Sequence, residues 1–123
     1  MLVNDITACP HRSVLDRSVL CELLNPRSAG ECRSLGCSIA HAIVPAGEST
    51  LPHRLKTATE IYYILSGEGR MHIGKKNGDV RAGQAVLIPP GAVQYIENFG
   101  ASELVFLCIV VPPWQEDDEE LAG

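Results

Sequence analysis

The chain is a succession of short apolar runs, each cut by glycine, proline or asparagine. Residues 18–24 (S-V-L-C-E-L-L) stop at Asn25-Pro26. Residues 37–44 alternate small and larger side chains, with Ile39, His41 and Ile43 on one face, and stop at Pro45-Ala46-Gly47. Residues 60–65 are rich in β-branched and aromatic side chains and predict the strongest strand. A Ser66-Gly67-Glu68-Gly69 turn returns the chain into 70–73, so the pair reads as a hairpin. Residues 74–78 (G-K-K-N-G) predict a second tight turn, with Asn77-Gly78 suited to positive φ. Further strands are predicted at 79–81, at 85–88 before Pro89-Pro90-Gly91, at 93–97, and at 103–111 before Pro112-Pro113. Residues 27–36 are polar and contain glycine, as a loop does. Only residues 9–24 could be argued as helical, and Pro10 and the β-branched residues speak against it. Many short strands with Gly or Pro at the corners predict an all-β antiparallel sandwich or barrel. Val86, Ile88, Val105, Leu107 and Ile109 are its expected core.

A chain of 123 residues supports one domain with one core, residues 1–123. Its net charge of -5 comes from Glu116-Asp117-Asp118-Glu119-Glu120; elsewhere acids and bases balance. That run predicts a solvated, frayed acidic tail over residues 115–123. No basic footprint for nucleic acid is present, and the apolar runs are too short to cross a membrane as helices. Five cysteines, an odd number without a C-x-x-C pair, fit free thiols in a reducing cytoplasm. Cys21, Cys37 and Cys108 lie in apolar runs and read as buried thiols. Cys32, Cys37 and His41 could make a chance metal cluster, but their spacing matches no familiar zinc module.

Two stretches carry the chemistry. The first runs from Gly47 through His53, Leu55 and Glu60 to Gly67; the second runs from Gly83 through Pro89, Gly91 and Gln94 to Asn98. Their spacings resemble the paired motifs of the cupins. The first cupin motif is Gly, five residues, His-x-His, three or four residues, Glu, six residues, Gly. The second is Gly, five residues, Pro-x-Gly, two residues, His, three residues, Asn. The resemblance implies a double-stranded β-helix, the cupin jelly-roll barrel, with a pocket inside. Cupins usually hold a divalent metal with three His and one Glu. Here Leu55 stands in place of the second His and Gln94 in place of the third. Leucine cannot coordinate, and a glutamine oxygen is a weaker ligand than imidazole for a transition metal. The implied metal residues are therefore His53, Glu60 and Gln94, for Zn, Fe, Mn or Ni. The other state left open is a metal-free polar cluster.

Alternation along a strand places Glu60, Tyr62 and Ile64 on one face and Tyr63 on the other. It likewise separates Gln94 and Ile96 from Tyr95. Tyr62 is then a pocket residue that packs its ring, hydrogen-bonds a ligand, donates a proton or serves as a rare metal ligand, and His53 with Tyr62 forms a candidate catalytic pair. His41 and His72 read as structural, and His11 carries no argument. Two functions remain. One is a small cupin enzyme, a lyase, isomerase or dioxygenase acting on a small polar metabolite. The other is a non-catalytic cupin that binds a sugar or organic acid without metal. A homodimer is expected by family analogy, supported by Tyr63 and Tyr95 facing out of the pocket and by Trp114 just past the final strand, although Trp114 could instead fold back and cap the barrel.

Overall fold

The structure, a computed structural model, describes residues 1–28 and 30–122. Eleven strands form in chain order: β1 (Arg12–Ser13), β2 (Val19–Leu24), β3 (Ser38–Val44), β4 (His53–Leu55), β5 (Thr59–Ser66), β6 (Glu68–Ile73), β7 (Lys76–Arg81), β8 (Ala85–Ile88), β9 (Gln94–Glu97), β10 (Leu104–Val111) and β11 (Glu119–Leu121). The described helical segments are short 3-10 turns, and none lies within residues 37–111. None is long and apolar enough to cross a membrane. This is the all-β barrel expected from the strand pattern.

Two antiparallel sheets make the barrel. The larger is ordered β1-β2-β3-β10-β5-β8 and the smaller β11-β4-β9-β6-β7. Their facing surfaces bury Ala42, Val44, Tyr62, Ile64, Met71, Ile88, Ile96, Leu104 and Phe106. Tyr62 and Phe106 pack ring on ring at 4.4 Å. Gly67 is the corner between β5 and β6. It has φ 84°, and a Cβ there would stand 2.6 Å from the Glu103 carbonyl oxygen. Only glycine reaches that backbone shape without strain while letting the β10 lead-in pass so close.

Several expectations shift. On β10 the residues that face inward are Leu104, Phe106, Cys108 and Val110, whereas Val105, Leu107 and Ile109 face the opposite side and are only partly buried. Ile88 is in the core as expected, and Val86 packs against it. The turn in 74–78 sits at Gly74, with φ 59°, and Asn77 and Gly78 are paired in β7. Thus β6 and β7 are longer than expected. Cys37 is half-exposed and precedes β3, while Cys21, Cys32 and Cys108 are buried; all five thiols are free.

The acidic tail is the largest correction. Residues Glu116–Asp118 form a 3-10 turn, and Glu119–Leu121 pair with β4 as an edge strand. Asp118 explains why. One of its oxygens accepts from the Thr57 N–H and hydroxyl at 2.9 and 2.8 Å, and the other accepts from the Ala58 N–H at 3.1 Å. Arg54 adds an ion pair to Glu120 at 2.7 Å. Trp114 folds back, packing on Leu55, Ala58 and Val110 and donating its backbone N–H to the Ser38 hydroxyl. It caps the barrel end, which was the alternative to an interface role.

Candidate functional site

The barrel holds a cavity of about 600 Å³. The large sheet supplies Glu22, Ser38, Ala40, Glu60, Tyr62, Cys108 and Val110. Strand β4 supplies His53 and Leu55. The chain ends close it with Asp16 from the β1–β2 turn, and with Trp114, Glu116 and Glu119 from the C-terminal segment. Strand alternation puts Glu60 and Tyr62 on the same inward face, and Tyr63 points out with 40% of its surface exposed. His53, Glu60 and Tyr62, predicted from the motifs, meet at this cavity.

Gln94 takes a different place. It is fully buried and is absent from the cavity wall. Its amide Nε2 donates to Glu60 Oε1 at 2.9 Å, and its Oε1 is buried with no hydrogen-bond partner. Gln94 is opposite His53 in the β4–β9 ladder, which explains how the two motifs lie side by side. The metal set expected from the motifs does not fit this arrangement. Gln94 presents an N–H to Glu60, Leu55 is buried hydrocarbon, and His53 Nε2 faces Asp16 Oδ2 at 3.5 Å.

His53 is only 2% exposed, and its Nδ1 bonds the Leu51 carbonyl at 2.7 Å. A carbonyl can only accept, so Nδ1 carries the proton and a neutral ring has its lone pair on Nε2. Among the described residues, Asp16, His53 and Glu119 are the one group of three metal-type donors whose ligand atoms lie within 4.8 Å of one another. Cys32, Cys37 and His41 make no such group. Sequence reasoning missed Asp16 and Glu119. The first lies in a short turn and the second in a run that composition marks as tail.

Three of the carboxyls at this cavity, Glu60, Glu22 and Glu119, resist ionisation. Burial, and then the charges of Glu119, Asp16 and Glu22, push the Glu60 pKa up to about 8 against the opposing Gln94 hydrogen bond. Burial also raises Glu22 and Glu119. Tyr62 is held well above its ordinary value by burial and by the charge of Glu60. Its hydroxyl is therefore a hydrogen-bond donor that stays un-ionised. The remaining histidines are satisfied on the outer faces. His41 bonds His11 at 2.8 Å, and His72 bonds Glu97 and stacks on Tyr95 at 4.1 Å.

Comparison with known proteins agrees with this architecture. The family model described as "Cupin domain" matches residues 40–110. An uncharacterized protein of Methanocaldococcus jannaschii is 40% identical over 106 residues, covering 86% of this chain and 82% of the relative. An oxalate-binding protein of Thermotoga maritima is 37% identical over 68 residues, covering 55% of this chain and 56% of that protein. A crystal structure of a predicted oxalate decarboxylase from Thermotoga maritima superimposes with a TM-score of 0.78 at 24% identity, covering 90% of this chain and 99% of that one.

Proposed function

The chain belongs to the cupin family, and we propose that its barrel cavity binds a small polar metabolite rich in hydrogen-bond donors, the sugars being the leading class. One observation carries this reading. The wall bears the carboxyls of Asp16, Glu22, Glu60, Glu116 and Glu119, and Arg12 is the one Lys or Arg among the lining residues. Such a wall accepts hydroxyl or amine donors. It offers a free dianion such as oxalate no cationic side chain beyond Arg12, and any carboxyl that is ionised beside the ligand repels it. The relatives named for oxalate support a small ligand in this barrel, while the charge of this cavity sets the chemistry of that ligand. A thermal-shift panel in EDTA tests the reading. Sugars or amino-sugars should raise the melting temperature and oxalate should not; stabilisation by oxalate alone would overturn it.

A second reading, turnover of that ligand, is favoured by the Glu60 carboxyl. With its pKa at about 8 it carries a proton at neutral pH and can give it to a bound ligand. In the metal-free protein the His53 Nε2 lone pair is the complementary base, and the Tyr62 hydroxyl orients the ligand. The outer face of the large sheet supports a homodimer. Tyr63, Leu65, Leu87 and Val111 are exposed there beside the half-buried Val105, Leu107 and Ile109. The five free thiols fit the reducing cytoplasm proposed as its compartment.

A further inference from the structure

We propose that Asp16, His53 and Glu119 form a binding site for a divalent transition-metal cation of the manganese-to-zinc range, displaced from the ligand positions of the cupin motifs. The ligand atoms of the three residues lie within 4.8 Å of one another. Asp16 and His53 are both more than nine-tenths buried, with side-chain exposures of 8% and 3%.

Each of the three side chains is held by its other polar atom. Asp16 Oδ1 accepts from the Ser18 N–H at 2.9 Å and the Ser18 hydroxyl at 2.7 Å. His53 Nδ1 donates to the Leu51 carbonyl at 2.7 Å. Glu119 Oε2 accepts from the Trp114 indole N–H at 2.8 Å. Among the described residues, no hydrogen bond reaches Asp16 Oδ2, His53 Nε2 or Glu119 Oε1. Outer partners that fix a ligand's orientation while its other atom stays free are the usual second layer of a metal centre. The backbone holds the frame as well, with the Leu51 N–H donating to the Asp16 carbonyl at 2.7 Å.

The separation of the free atoms distinguishes a cation from a bare ion pair. A charge-assisted hydrogen bond between imidazolium and carboxylate is about 2.7–2.9 Å long. Two ligands about 2.0–2.2 Å from one ion, at angles between octahedral and tetrahedral, stand roughly 3.0–3.5 Å apart. Asp16 Oδ2 and His53 Nε2 are 3.5 Å apart and make no hydrogen bond. The Asp16 and His53 atoms thus face one another without a hydrogen bond between them, and Glu119 brings a third donor to the same space. A cation at their common point turns all three contacts attractive. One imidazole and two carboxylates suit Mn²⁺, Fe²⁺ or Zn²⁺ better than thiolate-seeking ions or the all-oxygen preference of Ca²⁺.

The strand pairing gives the site its logic. Glu119 is the ladder partner of Leu55, the position where the motif would have its second His. The C-terminal strand thus sets a carboxylate beside the lost ligand, and the β1–β2 turn brings another. His53 alone is common to both arrangements, so it cannot discriminate between them.

Metal titration of the EDTA-stripped full chain, with no metabolite present, tests the proposal apart from the sugar-class reading above. Free Mn²⁺ is counted by its electron paramagnetic resonance signal, and Zn²⁺ is followed by calorimetry. Wild type should bind one ion per chain. Asp16→Asn and Glu119→Gln should each weaken it by at least about tenfold, and Glu60→Gln should weaken it less than either. Circular dichroism of the stripped proteins checks folding, and if one variant fails to fold the other decides. Absence of binding by wild type at millimolar Mn²⁺ and Zn²⁺ would overturn the proposal. So would loss of binding in Glu60→Gln with retention in Asp16→Asn and Glu119→Gln.

Discussion

Replacing Glu60 by glutamine should flatten the pH dependence of stability. Glu60 is buried at the cavity wall, and its pKa rises from 4.5 to about 8 in the folded chain. Between those values the folded state holds a proton that the unfolded state has released. Unfolding then becomes easier as pH rises, and the loss is complete above the folded pKa. At about 1.4 kcal/mol for each pH unit, the span amounts to roughly 5 kcal/mol if the chain opens fully to solvent. Glutamine has nearly the same shape, has no charge to desolvate, and can still accept from Gln94 through its side-chain oxygen. Urea unfolding of both proteins in EDTA at about pH 5, 7 and 9 measures the effect. The raised Glu22 and Glu119 leave a residual slope of the same sign in both. The quantity that matters is therefore the difference between wild type and variant. Wild type should lose several kcal/mol more than Glu60→Gln between the lowest and highest pH. Parallel curves would refute the reasoning and mean that Glu60 titrates alike in the folded and unfolded chains.

Gly67→Ala should destabilise the fold by about 2–4 kcal/mol, through the left-handed backbone and the close Glu103 carbonyl, and the shift in urea midpoint measures it. If the large sheet pairs with a second copy, light scattering should give about twice 13.3 kDa, and Leu87→Asp should halve the measured mass without lowering strand content. A wild-type monomer would refute the dimer.

The placement of His53, Glu60 and Tyr62 was legible because motif spacing and strand alternation are both short-range rules. The inward face of β10 was not. Residues 104–111 are apolar at every position, so period two leaves no trace, and only pairing with β3 and β5 decides the face. The acidic strand was hidden for a different reason. Residues 116–120 have the composition of a solvated tail, yet Asp118 and Glu120 find N–H groups and Arg54 on segments some sixty residues away. Such long-range partners leave no local pattern. The turn at Gly74 rather than Asn77-Gly78 shows the same competition, since three more ladder positions, Lys76, Asn77 and Gly78, outweigh a favourable turn pair.

The order of strands in the large sheet bears on how the chain is made. β10 lies between β3 and β5, yet it is synthesised long after both. Until residue 111 has left the ribosome, β3 and β5 each present an open backbone edge and an uncovered apolar face. The centre of the sheet cannot zip progressively from the first residue; it must wait for a late strand to insert between two early ones. Pairings over such distances carry a loop-closure cost before they gain contacts, which places folding in the slow, millisecond-to-second range of all-β topologies. During that interval the nascent barrel is most exposed to pairing with the wrong neighbour, and a chaperone that shields the β3 and β5 edges would act at the step where this topology is weakest.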